Sequence, residues 1–360
     1  MGIVAALLKG KLIMTKSNTA QGKNAPAQEQ APSPRPEHRP LDVFVGKRNT
    51  EEQEPIMQSL RTTCRRIVLT LAAACLLSTP VLAHTGSGIA VDRLSQVYFL
   101  DTGSGLWKID TQGRLTHLSP LKNHWLALDA NDGFAGARLP TDPNLDWVIT
   151  RVGANPTLLI STDFPIAIGQ DGNLYYPSGR PGHLQIMRTT PSGATSRFVT
   201  LPGTATGAPL SHLNGITAGR DGSIYYTEDS SIRRINAKGR ISTVATVPAL
   251  VGGPSIPGTN QHPYLRGLNV DAHGVMYVAD NGDARVLKIT REGKITTLLQ
   301  LESPWSPTGV AVFGDVVFVL EFLHTPVDDR LAWLPRVRKI TSDGKSTIIA
   351  TVAQMPGARD

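Results

Sequence analysis

The feature that most constrains this chain is a repeat. Six units open with an apolar residue at Ile89, Leu126, Ile166, Ile216, Leu268 and Val310, at spacings of 37, 40, 50, 52 and 42 residues. Two of them read GITAGRDGSIYYTEDSSIRRINAKGRISTVATV from Gly215 and GLNVDAHGVMYVADNGDARVLKITREGKITTLLQL from Gly267. Each unit holds four short runs, a to d, in which apolar and polar residues alternate. Asp171-Gly172, Asp221-Gly222 and Gly274 separate a from b, and Gly113, Gly193, Gly239, Gly293 and Gly344 separate c from d. Period-two alternation bounded by glycine turns is a hairpin signal. Four antiparallel strands in each period of about 40–50 residues predict a propeller blade, because radial repetition protects the sheet edges. No 3.6-residue apolar period occurs after residue 84. The expected fold is all-β, a six-bladed β-propeller of four-stranded antiparallel blades over residues 84–360. The blades lie near 88–120, 124–161, 164–202, 213–248, 265–301 and 307–352, all read as complete from a to d.

The first 83 residues do not belong to this pattern. Residues 1–56, rich in Gln, Pro, Lys, Glu and Asn, read as a disordered leader or an over-extended gene start. Residues 57–83 read as a signal peptide: Arg61, Arg65 and Arg66 form a positive region and Ile67 to Leu77 an apolar one. Val81 and Ala83 then suit positions −3 and −1 of a cut after Ala83. The apolar run is shorter than the roughly 20 residues that a membrane span needs, so no stable span is expected in the mature chain. The protein is expected to be secreted or periplasmic. Both cysteines, Cys64 and Cys75, precede the cut, which excludes disulfides and thiolate metal sites from the mature chain.

The formal charge of +7 is a property of the leader. Residues 1–83 hold 11 of the 36 Lys/Arg and 6 of the 29 Asp/Glu, leaving 25 against 23 for the propeller. A chain that close to neutral has no electrostatic footprint for nucleic acid. No metalloprotease helix motif, nucleophile elbow, Walker loop or dinucleotide fingerprint occurs.

The pattern G-[IV]-A-V-D, then [LI]-Y-[VY]-[AT]-D, then [IV]-x-[KR]-I-x-x-x-G resembles NHL repeats. More broadly the chain resembles the six-bladed group of gluconolactonase, regucalcin (senescence marker protein) and strictosidine synthase. That resemblance implies fold more than activity, since one scaffold hosts hydrolases, lyases and binding proteins. It also implies where a ligand would sit. The residue before each strand a and the residue ending each strand b face one rim of the channel. The first ring is Ser87, His124, Phe164, Asn214, Arg266 and Thr308. The second is Asp101, Arg151, Ser178, Glu228, Asp280 and Glu321. The insertions at 202–212, 249–264 and 322–336 gather on this face, while blade 2 has its long loop, 130–145, between a and b. Insertions on one face mark it for binding. The candidate contacts are Asn214, Arg266, Glu228, Asp280, Glu321 and Trp305, with His124 and His212 nearby. The competing reading of the acids is structural, as acceptors for backbone N–H groups or as partners of Arg151 and Arg266.

The lactonases in this group hold a Ca²⁺-like ion with a first-blade Glu, the Asn of an N-G and the Asp of a D-G. Here Asn214-Gly215 matches, Arg266 stands where the Asp is expected and Ser87 where the Glu is. Either no cofactor or a divalent cation such as Ca²⁺, with Asn214 as its one matched ligand, is expected. The leading function is an exported NHL-type propeller binding a small molecule, saccharide or peptide at the channel mouth. The alternatives are a metal-dependent lactonase-like hydrolase, a streptogramin-lyase-like enzyme suggested by His212 and Glu228 of blade 4, or a scaffold for a protein partner.

Overall fold

The computed structural model describes residues 86–353 apart from 142–147, 154–155, 163, 181, 205–206, 209, 211–212, 255–262 and 325–331. The leader, the signal segment and His212 therefore lie outside the described residues. All of those described belong to the unit Pro80–Asp360.

Alternating sequence and glycine turns give 23 strands, and no helix occurs among the described residues. Blade 1 is β1 (Ile89–Val91), β2 (Val97–Asp101), β3 (Gly105–Ile109) and β4 (Leu115–Ser119). Blade 3 is β8 (Ala167–Ile168), β9 (Leu174–Ser178), β10 (Gln185–Thr189) and β11 (Thr195–Thr200). Blade 4 is β12 (Gly215–Ala218), β13 (Ile224–Glu228), β14 (Ser231–Ile235) and β15 (Ile241–Thr246). Blade 5 is β16 (Leu265–Val270), β17 (Met276–Asp280), β18 (Arg285–Ile289) and β19 (Ile295–Gln300). Blade 6 is β20 (Trp305–Phe313), β21 (Val316–Leu323), β22 (Pro335–Ile340) and β23 (Ser346–Thr351). In these five blades each strand pairs antiparallel with the next in sequence. The turn glycines sit at positive φ, among them Gly172 (74°), Gly222 (73°) and Gly344 (81°), where a Cβ would be strained.

Blade 2 departs from the expected order. Its strands are β5 (Trp125–Asp129), β6 (Ile149–Val152) and β7 (Thr157–Ser161), and the sheet runs β5-β7-β6. An isolated antiparallel bridge joins Thr141 to Val148 beyond β6. The expectation that this blade runs a to d in chain order is corrected. The strand beside the inner one is packed on both faces, and only Thr157–Ser161 is buried throughout, whereas β6 is half-buried beyond Ile149. The continuous Leu158-Leu159-Ile160 run therefore takes the inner position, and the amphipathic Ile149–Val152 takes the outer one.

The inner strands β1, β5, β8, β12, β16 and β20 pack side by side, and β20 returns to β1. Each gap between blades is filled by its own apolar core. Leu100 and Leu106 meet Leu126 and Ile160 between blades 1 and 2, and Leu159 and Phe134 meet Ile166 and Tyr176 between 2 and 3. The series ends with Phe99 and Trp107 against Phe322 and Val337, between blades 1 and 6. Among the described residues no strand is shared between the two ends of the propeller, and blade 6 meets blade 1 through their packed apolar core.

Candidate functional site

The inner strands converge where they begin. A Cβ on Gly309 would lie 2.3 Å from the Ser87 carbonyl oxygen, and one on Gly267 would lie 2.8 Å from Gly309 Cα. Gly215 approaches the Arg266 carbonyl in the same way, at 2.4 Å. These contacts need glycine, and they bring the residues that precede Gly88, Gly215, Gly267 and Gly309, with their counterparts in blades 2 and 3, together at one end of the channel. Ser87, His124, Phe164, Asn214, Arg266 and Thr308 are all buried there. Below them the inner strands enclose a cavity of about 330 Å³, lined by Ala90, Leu128, Thr217 and Asn269 among others.

Hydrogen bonds tie this first ring within and between blades. Ser87 N donates to the His124 carbonyl of blade 2 at 2.9 Å, and Asn214 N donates to the Thr227 carbonyl of its own blade at 3.0 Å. The Thr227 hydroxyl in turn donates to the Arg266 carbonyl at 2.8 Å. The Ser87 hydroxyl and the Asn214 Nδ2 amide are buried and have no hydrogen-bond partner among the described residues. Burial pulls the Arg266 guanidinium below its usual value, with Tyr264 acting the other way.

The second ring is organised differently. Each of its acids has a partner within its own blade, drawn mostly from strand c. Arg285 Nε donates to Asp280 at 2.8 Å. Arg336 and Arg338 each place Nε at 2.5 Å from Glu321. Arg233 Nε lies 3.4 Å from Glu228, and Asp101 accepts from the Ser104 hydroxyl and from Gly103 N. Burial raises the carboxyls of Asp101 and Asp280, and these bonds oppose it. Sequence reasoning missed the strand-c arginines, although an acid ending b and an arginine in c recur in blades 4, 5 and 6. Arg151 is not on this rim's strand b. It lies on β6 and donates to the carbonyls of Phe134 (2.6 Å) and Ala137 (2.5 Å), holding the long loop. Ser161, paired with Trp125, occupies the corresponding place.

The aromatic candidate Trp305 is half-buried, and the Arg336 guanidinium covers one face of its ring at 3.6 Å from the centroid. His124 is buried and its Nδ1 meets the Thr162 carbonyl. Three further residues, not singled out as contacts from the sequence, gather at the start of β20 and the end of β21. His324 Nε2 lies 2.6 Å from the Ser306 hydroxyl, which also accepts from Asn281 Nδ2 at 2.6 Å. Burial, joined by the positive charge of Arg266, pushes His324 down to about 4.

This donor set does not suit a hard cation, which takes six to eight oxygen ligands and several carboxylates. Of the three expected ligands only Asn214 is in place, a guanidinium stands where a carboxylate is needed, and the nearby carboxylates are engaged with arginines. Among the described residues no group of three His, Cys, Asp or Glu could hold a metal ion. No helix among them is long and apolar enough to cross a membrane.

No protein-family model matches this sequence, and no curated protein does. Among solved structures, it is similar to virginiamycin B lyase from Staphylococcus aureus, with 17% identity over 73% of this chain and 83% of that one, TM-score 0.43. It is similar to the calcium-binding protein regucalcin from Agrobacterium tumefaciens (18%, covering 67% and 82%, TM-score 0.44). It is also similar to a gluconolactonase from Xanthomonas campestris (15%, covering 66% and 83%, TM-score 0.44). The six-bladed architecture expected from the sequence is the one observed.

Proposed function

We propose that this chain is an exported propeller that binds a small, oxygen-rich anionic molecule, such as a sugar acid, at the channel mouth. The observation that carries the reading is the sign of the groups gathered there. Arg266 sets a buried cation there, and Asn214 Nδ2 is a buried donor with no hydrogen-bond partner among the described residues. Glu228, Asp280 and Glu321 of the same rim are bound to arginines of their own blades, and Asp101 is held by Ser104 and Gly103 N. A buried donor without a partner costs about 1–3 kcal/mol, and a ligand oxygen that satisfies it recovers that cost. A guanidinium adds two-point recognition of a carboxylate. The metal-dependent hydrolase is the weaker reading, because the ligand set departs from it at two positions of three. Export rests on residues 57–83, and a mature protein with His84 at its N-terminus is expected by mass analysis.

Calorimetric titration of the protein with glucuronate, with glucose as the uncharged control, tests the binding reading. Glucuronate should bind and glucose should not, and Arg266→Asp should abolish binding. Equal affinity for both sugars, or an Arg266→Asp protein that still binds glucuronate as the wild type does, would remove the channel mouth from consideration as an anion site.

A further inference from the structure

We propose that His324 is a specificity-determining residue of the mouth: a neutral imidazole, fixed in one tautomer, whose Nδ1–H donates to a ligand oxygen beside the Arg266 guanidinium. The inference rests on the mouth being the ligand site and adds the atom that reads the ligand's uncharged oxygen.

The tautomer follows from donor and acceptor accounting. The Asn281 amide nitrogen can only donate, and it does so to the Ser306 hydroxyl at 2.6 Å and to the Pro307 carbonyl at 3.3 Å. The Ser306 hydroxyl, fully buried, therefore has its own proton to give, and His324 Nε2 lies 2.6 Å away. An Nε2 that accepts leaves the ring proton on Nδ1. Among the described residues no acceptor takes that Nδ1–H. The ring is half-buried, and the Trp333 ring stands 6.5 Å away, centroid to centroid.

The placement follows from strand convergence. Asn281 N donates to the Tyr264 carbonyl, two residues before Arg266, and its side chain reaches Ser306 and Pro307 at the start of β20. Gly267 and Gly309 touch at the same point. His324 N donates to the Pro304 carbonyl, which holds the end of β21 against that start. Arg266, Asn281, Ser306 and His324 thus come from β16, the turn after β17, β20 and the end of β21 to one corner of the mouth.

The charges around the ring keep it neutral. The Arg266 cation acts against protonation of the ring, Tyr264 precedes that arginine, and Glu321, three residues back on β21, is taken by Arg336 and Arg338. A neutral imidazole between an arginine and a serine hydroxyl can donate only through Nδ1. Its contribution should not change between pH 5 and 8, unlike that of an imidazolium. Ser306 and Asn281 are positioning residues: they act on the ligand only through His324.

The experiment is nitrogen NMR of the full chain with ¹⁵N-labelled histidine, titrated with glucuronate at pH 5 to 8. The expected result has three parts. His324 should appear neutral with its proton on Nδ1, that resonance should move on addition of glucuronate, and affinity should be constant over the range. His324→Phe should lower affinity about tenfold, the loss of one hydrogen bond in a dry site. Ser306→Ala should mix the tautomers and weaken binding, and Ser306→Thr should restore both. An Nε2–H tautomer or an imidazolium at pH 7 overturns the inference whether or not glucuronate binds. Glucuronate binding that His324→Phe leaves within twofold of wild type overturns it while the mouth stays the site. No binding of glucuronate to a wild type with the expected tautomer overturns the mouth as a sugar-acid site, and the role of His324 with it.

Discussion

At the scale of a residue, His324 links stability to pH in a direction opposite to that of a histidine with an acidic neighbour. Its native value is about 4, lowered first by burial and then by the Arg266 cation, whereas an unfolded histidine titrates near 6.5. Between those values the unfolded chain takes up a proton that the native protein refuses. Acidification from about pH 6.5 to 4 therefore removes stability, and above 6.5 the group contributes nothing. Lowering a histidine from near 6.5 to about 4 makes the size about 3 kcal/mol. His324→Gln should flatten this part of the profile. Denaturant unfolding at pH 7 and pH 4 should show the wild type losing about 3 kcal/mol more than the variant, and parallel losses would count against the buried neutral ring. The same residue marks a limit of sequence reading. A histidine at the end of a strand looks the same whether it is solvated or held by a serine eighteen positions earlier, and only the pairing of β20 with β21 brings Ser306 and His324 together.

At the scale of an element, the glycines do two separate jobs. Gly344, in a c-to-d turn, has φ of 81° and nothing within 4 Å of a built Cβ. Gly309, on an inner strand, has no positive φ, but a Cβ there would meet the Ser87 carbonyl at 2.3 Å. Gly344→Ala should cost about 1–2 kcal/mol, the strain of a left-handed L-residue. Gly309→Ala should cost about 3 kcal/mol or more, because the obstacle is backbone and the inner strands must separate. Thermal melts of the two variants distinguish turn strain from ring crowding, and equal losses would mean that the inner strands have slack. The turn glycines made five blades legible, since each break falls where a type of turn requires it. Blade 2 was not legible in the same way: Gly153, at φ of 74°, marks the turn from Ile149–Val152 to Thr157–Ser161, but it does not say which of the two lies beside the inner strand. The deciding signal was weaker: a wholly apolar run belongs between two packed faces, and an amphipathic one does not. The rim acids were legible as positions but not as roles. An acid at the end of strand b reads alike as ligand contact or anchor, and the arginine that decides between them sits across a hairpin, as Arg285 does for Asp280.

At the scale of the whole molecule, the closure of the ring makes the six blades one cooperative unit. In an open stack of repeats, a terminal repeat touches one neighbour, and its removal subtracts one interface. Here blade 6 touches two. It shares Val310, Val317 and Val319 with Tyr277, Ala279 and Val286 of blade 5. It shares Phe318, Leu320, Phe322, Trp333 and Val337 with Ile89, Phe99 and Trp107 of blade 1. Ending the chain at Leu301 would expose both cores at once and release the convergence of inner strands at Gly309, Gly267 and Ser87. Each large apolar side chain returned to water costs about 1.5–3 kcal/mol. The residues of blades 1 and 5 left bare would together cost about as much as the 5–15 kcal/mol that holds a typical domain folded. The truncated chain should therefore show no cooperative thermal transition, where the full chain shows one. A five-blade chain that melts cooperatively, at a temperature a few degrees lower, would mean that the blades fold as separate units and that the mouth does not depend on closure. The predicted outcome ties fold to function. Arg266 of blade 5 and His324 of blade 6 lie on the two sides of the β16–β20 contact, so the loss of blade 6 should abolish glucuronate binding together with the transition.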